Sequence, residues 1–253
     1  MLFVFAHQDD EYAALPWIFQ ERAGGAQIAC LYLTDGAGRA SAETRDAESR
    51  DVLRSLGIAD DAIVMLSGGA KRIADLNLAA ESLDALAAVD AWIEQTPFLP
   101  RRIYAPSYEG GHPDHDAAHL IAAVIAAERG LAGDAWHFSL YNAYRCPRPF
   151  FATMRQLPAP APRRRAALSP AQRWNFAWLC WRYRSQWRTW LGLFPGAFYA
   201  RAIAANETVV RFDFKRLTHR PHSGELLYER LFATSYECFE KQTRALRERL
   251  PVS

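Results

Sequence analysis

The strongest constraint on the fold is an alternation, in which short apolar runs take turns with longer stretches of helical spacing. Leu2 to Ala6, Ala26 to Leu33, Ala62 to Leu66 and Arg102 to Ala105 each read as a buried strand. Between them Glu11 to Glu21, Ser41 to Leu56 and roughly Leu78 to Gln95 read as helices, with Gly24-Gly25 and Gly57 as stops. Strands joined through helices imply right-handed crossovers, and so an α/β fold: a Rossmann-like, mostly parallel sheet with helices on both faces. In such sheets ligands bind beyond the carboxyl ends of the strands.

A chain of 253 residues, 50% hydrophobic and 23% charged, can bury a full core. It is expected to form one domain over 1–253, with an α/β core in 1–146 and substrate-shaping, closing elements in 147–253. A net charge of +2 does not imply a nucleic-acid partner, and none is expected. Cys30, Cys146, Cys180 and Cys238 lack C-x-x-C spacing and read as reduced, mostly buried thiols. The apolar opening Met1 to Ala6 is too short for a signal peptide, and no window is long and apolar enough to span a membrane. A soluble, cytoplasmic protein is expected.

The second half has a different texture. The glycine-containing turn Ser67-Gly68-Gly69 belongs to the core, whereas Pro147 to Arg165 reads as an extended connector or surface lid. Ser169 to Leu191 reads as one helix with five tryptophans and four arginines, part of an aromatic and basic helical C-terminal extension. Such a helix could lie in a membrane interface, or be buried against the sheet with its arginines reaching solvent. Aromatic residues on more than one face favour burial, and tryptophan rings could also line a sugar site. A strand over Thr208 to Phe214 and a helix from about Leu226 to Arg247 close the chain.

Two clusters carry the chemistry: Ala6-His7-Gln8-Asp9-Asp10-Glu11 after the first strand, and His112-Pro113-Asp114-His115 after the strand ending near Ala105. Together they offer three ligands for a divalent metal with a carboxylate to spare. Amide hydrolysis needs a nucleophilic water, oxyanion stabilisation and a proton for the leaving nitrogen. A bound ion such as zinc serves the first two, and a nearby carboxylate and imidazole serve proton transfer. Adjacent Asp9 and Asp10 cannot point the same way, so one can ligate while the other stands over the water; spacing does not say which. His112 and His115 could share a helix face or straddle its start, with Pro113 suited to the first turn and Asp114 to orienting one imidazole. Arg45 could pair with Glu48 on its own helix, Asp35 could support the pocket or cap a turn, and His119 is expected to pack. A nicotinamide enzyme is disfavoured, because no Gly-x-Gly-x-x-Gly turn follows the first strand.

The first cluster resembles the A-H-P-D-D-E signature of the PIG-L or LmbE-like zinc-dependent N-deacetylases, with Gln8 in the place of proline, and His112-Pro113-Asp114-His115 resembles their second motif. The resemblance implies that His7, Asp10 and His115 bind zinc and that Asp9 is the general base, with water on the ion as nucleophile. It further implies that His112 acts as general acid or oxyanion stabiliser with Asp114 behind it. Arg45, in Arg45-x-x-Glu48, is similar to the family's arginine near the acetyl group, and Tyr183-x-Ser185-Gln186 is similar to a late motif. The implied reaction removes acetyl from an N-acetylglucosamine-type glycoconjugate, either a small molecule or lipid-linked. Two histidines and a carboxylate also suit Fe2+ or Co2+, so zinc rests on the resemblance. The alternatives are an amidase for a larger acyl group and a lapsed carbohydrate-binding protein.

Overall fold

The computed structural model describes residues 1–38, 40–66, 72–205 and 207–251, so the turn Ser67-Gly68-Gly69 lies outside the described residues. β1 (Leu2–Phe5) lies between β2 (Ala29–Tyr32) and β4 (Ile103–Pro106), and pairs in parallel with both. β3 (Ile63–Met65) and β5 (Ala135–Phe138) extend this parallel array outward. β9 (Thr208–Arg211) and β8 (Arg163–Arg165) then add antiparallel strands, giving the order β3-β2-β1-β4-β5-β9-β8. β6 (Tyr141–Asn142) and β7 (Ala152–Thr153) form a separate antiparallel pair.

Alternation of side chains along the strands fills two cores. Leu2, Val4, Leu31 and Leu33 enter the one that also takes α3 (Ser82–Gln95) and α4 (Pro113–Glu128). Phe3, Phe5, Cys30 and Tyr32 enter the other, against α1 (Glu11–Ala23) and α2 (Ala42–Ser55). The chain enters its sheet at β1, runs outward to β3 and crosses back to β4. The order therefore reverses between β1 and β4, and side chains following these two strands meet in the crevice at their carboxyl ends.

The mixed α/β sheet agrees with the sequence, but the second half departs from it. Instead of one helix over Ser169 to Leu191, α5 (Pro170–Trp178) gives way to 3-10 turns, and α6 (Trp187–Phe198) starts afresh. The break falls at Tyr183, whose ψ of 66° is not helical. Its side chain and that of Ser185 are tied to α1 and α2, and those tertiary bonds override the helical spacing. Leu226 to Arg247 likewise divides into α7 (Leu227–Leu231), α8 (Tyr236–Gln242) and α9 (Arg244–Arg247), with Ala233 at φ +51° and Ser235 capping α8. Within the expected connector, β8 joins the sheet. Burial of the tryptophans holds for Trp190 only: Trp174, Trp178 and Trp187 are exposed. Two of the four free cysteines, Cys30 and Cys180, are buried.

Candidate metal centre and acyl-transfer site

β1 ends at Phe5 and α1 begins at Glu11, so the first cluster forms the tight corner between them. Asp10 closes that corner: its Oδ2 accepts the backbone N–H groups of Ala6 and His7, each at 2.9 Å. This leaves Oδ1 free to face His115 Nε2, at 2.9 Å. Asp9 takes a left-handed backbone, φ +107°, which an L-residue adopts only under constraint. The constraint is visible, because its N–H donates to Glu11 Oε2 and its Oδ1 accepts from Arg45 Nη2 at 3.1 Å. Asp9 and Asp10 thus point apart, Asp10 inward and Asp9 toward the cavity, with 15% of the Asp9 side chain exposed.

The second cluster opens α4. His112 is the N-cap, its Nδ1 accepting the Asp114 N–H, and Pro113 occupies the first turn, where its missing N–H costs nothing. A neutral ring that accepts at Nδ1 carries its proton on Nε2. Burial, then the neighbouring imidazoles of His7 and His115, hold His112 well below its usual pKa. It therefore stands at the site as a neutral N–H donor. One helical turn brings His115 toward β1, where its Nε2 lies 3.2 Å from His7 Nδ1.

Two imidazole nitrogens so close must share either a proton or a cation. Around a tetrahedral zinc with bonds near 2.0 to 2.1 Å, donor atoms lie about 3.3 Å apart. The His7–His115 spacing is close to that figure, the His115–Asp10 spacing of 2.9 Å is shorter and the His7–Asp10 spacing of 3.9 Å longer; all three residues are buried. The imidazoles of His7, His112 and His115 also offer nitrogens within 4.8 Å of one another, and a second set joins His7 and His112 with Asp75 and Asp114. Four carboxylates, of Asp9, Asp10, Asp75 and Asp114, give the centre a negative field that favours a divalent cation. That field, working against burial, raises the His7 pKa. Asp75 is held well below the usual carboxylate range: burial opposes this, but its bond to His7 prevails.

Asp114 does not stand behind His112. Its Oδ2 accepts from His7 Nε2 at 3.1 Å and from Leu76 N–H at 2.7 Å, while Oδ1 accepts from Leu78 N–H. It buttresses His7 because Asp114 turns toward β1 as α4 begins. A carboxylate behind a ligand imidazole fixes its tautomer and raises its basicity, so Asp114→Asn is expected to weaken metal affinity by about 10- to 100-fold. Competition with a chromophoric chelator measures this, and an unchanged affinity would remove the assignment.

Arg45 does not pair with Glu48. Buried on α2, it donates to the carbonyls of Gly36 and Gln8 as well as to Asp9. Gly36, at φ +56°, is required there because a Cβ would fall 2.8 Å from Arg45 Nη1. Gln8 is itself anchored, its Nε2 donating to Asp46 Oδ1 at 2.6 Å. Asp35 does both things its position allows: Oδ1 accepts the Ala37 N–H, capping its own turn, and the Asp75 N–H, supporting the pocket. His119 packs on Phe212 and bonds the Pro106 carbonyl, away from the centre. The late motif closes the same network, with Tyr183 Oη donating to Glu11 at 2.9 Å and Ser185 donating to Glu48 through both N–H and Oγ.

Burial lifts the Asp9 carboxyl to a pKa of about 7, against the pull of the Arg45 guanidinium. A base poised there serves proton transfer at neutral pH. It opens on a cavity of about 500 Å³ whose polar end is the metal cluster and whose apolar wall includes Tyr12, Leu140, Met154, Trp190, Leu193 and Phe232. Trp190 is fixed between Tyr12 and Tyr183. Asp75, Tyr141 and most of this wall escaped the sequence reading. Asp75 is a lone acid in a loop, and nothing in its neighbours marks it.

The family model described as PIG-L, GlcNAc-PI de-N-acetylase, matches residues 2–126. No curated protein matches the chain by sequence. Among solved structures the A40926 pseudoaglycone deacetylase Dbv21 is similar at 16% identity and TM-score 0.60, over 83% of this chain and 95% of that one. A zinc-inhibited form of the teicoplanin deacetylase Orf2 is similar at 17% identity and TM-score 0.58, over 83% and 96%. At such identities the likeness shows the fold alone, a Rossmann-like α/β sheet.

Proposed function

Because this chain belongs to the PIG-L family of de-N-acetylases through residues 2–126, we propose that it removes the acetyl group from an N-acetylated amino sugar, free or lipid-linked. The observation that carries this reading is the convergence of Asp9, a neutral His112 and the His7–Asp10–His115 donors on one cavity. His7, Asp10 and His115 would hold a divalent cation, zinc by family, with iron or cobalt suiting the same donors. The chemistry such an ion supplies is Lewis acidity, which polarises the amide carbonyl and acidifies the attacking water.

The remaining work falls to the protein's own groups. Asp9, oriented by Arg45, takes a proton from the water as its oxygen bonds to the acetyl carbon. The His112 Nε2–H donates a hydrogen bond to the developing oxyanion. The protonated Asp9 then delivers its proton to the amine nitrogen as the C–N bond breaks, leaving acetate and a free amino sugar. Residues 1–146 supply the reacting groups, and 147–253 shape what enters, since Met154, Trp190 and Leu193 come from that part.

The apolar wall favours a second reading, an amidase acting on a longer acyl chain. A lapsed, carbohydrate-binding role is disfavoured by the placement of Asp9 and His112, which sugar binding does not require. Amine release from amino sugars carrying acetyl, butyryl and octanoyl groups separates these. A rate highest for acetyl supports the deacetylase, a rate climbing with chain length supports the amidase, and no release from the metal-loaded protein rejects both.

A further inference from the structure

From Ala135 to Asn206 the chain runs 72 residues without one aspartate or glutamate, and carries eleven arginines. With a net charge of +2 for the whole protein, this concentrates positive charge in one segment. Some of these arginines reach acids elsewhere, as Arg182 does to Asp51, Arg164 to Glu21 and the buried Arg201 to Glu207. On the α5–α6 unit Arg173, Arg184 and Arg188 have no carboxylate partner among the described residues.

The same unit and the π-helical turn that follows it, Tyr199–Ile203, hold six of the eleven large hydrophobic side chains that stand exposed among the described residues: Trp174, Trp178, Trp187, Leu191, Tyr199 and Ile203. They are organised. Trp187, Leu191, Phe194 and Phe198 fall at spacings of four, three and four on α6, which is one helical stripe. Trp174 and Trp178 of α5 extend it, with ring centroids 5.3 to 5.9 Å from Phe194 and Phe198. The neighbouring stripe of α6, with Trp190, Leu193 and Ala197, lines the cavity. The helix is thus apolar toward the site and apolar toward solvent.

We propose that the outer face of α5 and α6 docks on an anionic lipid surface, with the tryptophans in the interfacial layer and Arg173 and Arg184 against lipid phosphates, while Arg188 lines the cavity. Charge complementarity selects the occupant: an acid-free, arginine-bearing segment repels other cations and attracts anions. The aliphatic Leu191 and Ile203 among the indoles favour a bilayer over a nucleic acid, which offers them nothing to enter. Tryptophan and tyrosine prefer such interfaces, where one end of the ring is apolar and the other wet. No helix among the described residues is long and apolar enough to cross a membrane. This surface is argued independently of the reaction.

Flotation of the whole protein with vesicles tests it, comparing pure phosphatidylcholine with equal parts phosphatidylcholine and phosphatidylglycerol. The expected result is partition onto the anionic vesicles, weakened by salt, with a blue shift of tryptophan emission. Trp187→Ser with Leu191→Ser should abolish the blue shift, and Arg173→Glu with Arg184→Glu should lower partition by at least about tenfold. Circular dichroism and amine release from a soluble substrate should stay unchanged in both variants. No partition of the parent protein, or binding to an RNA homopolymer in preference to the anionic vesicles, would overturn the proposal. Binding that both variants retain in full would overturn it as well.

Discussion

Asp9→Asn is expected to lower kcat/KM by about 10³-fold, within the range a positioned general base contributes, while the metal content stays at the parental level. The amide keeps the volume of the carboxylate and can still accept from Arg45, so the corner between β1 and α1 should persist. What it cannot do is take a proton. The pH profile gives a second readout. The rate should rise with pH as the Asp9 carboxyl ionises, because only the carboxylate is a base. Burial places that ionisation at about 7 in the metal-free chain, and a cation beside it moves the rising limb lower. Arg45 pulls in the same direction as the cation. Removing its charge in Arg45→Met should therefore shift the limb to higher pH and lower the rate at neutrality, with less loss in alkaline buffer. Parental activity in Asp9→Asn would remove the base from the mechanism, and an unmoved limb in Arg45→Met would remove the coupling.

The reasons this much was legible in the sequence are local. His7 and His112 each follow a continuous apolar strand, and parallel strands buried on both faces betray themselves by composition alone. Once β1 and β4 are neighbours, clusters more than a hundred residues apart must meet, and Pro113 announces the helix start that turns His115 toward β1. The cavity wall was illegible for the opposite reason. Trp190 faces the site only because Tyr183 and Ser185 interrupt the helix to bond Glu11 and Glu48, and those bonds join segments more than a hundred residues apart. Asp114 was legible as a supporting carboxylate but not as to which imidazole it supports, since that depends on where Leu76 and Leu78 present their N–H groups. Glu109 was missed altogether. Buried in the loop after β4, it accepts from Ser139, Leu140, Tyr141 and Asn142 and so sets the hairpin that carries Tyr141, a role that no spacing rule anticipates.

Stripping divalent metal with a chelator is expected to reduce amine release by at least about 10³-fold, because the polarised carbonyl and acidified water are worth several kcal/mol that no side chain replaces. Restoring zinc, cobalt or ferrous iron in turn should recover activity and reveal which ion the site prefers. Binding should also raise the melting temperature, since an ion at a hundred times its Kd adds about 2.7 kcal/mol to the folded state. The sign of the pH dependence follows from His7. Its neighbours Asp114 and Asp75 raise its pKa in the metal-free chain despite burial, so a proton occupies the ring where a cation would bind. The ion must displace that proton, and apparent affinity should climb with pH up to the raised pKa and flatten above it. His115→Ala removes one donor and leaves Asp10 Oδ1 facing a void, so it should lose the metal, the thermal shift and the activity together. Asp9→Asn should lose only the last. A metal-free protein with undiminished activity, or a His115→Ala variant that binds zinc as tightly as the parent, would show that the reaction is run by another set of groups.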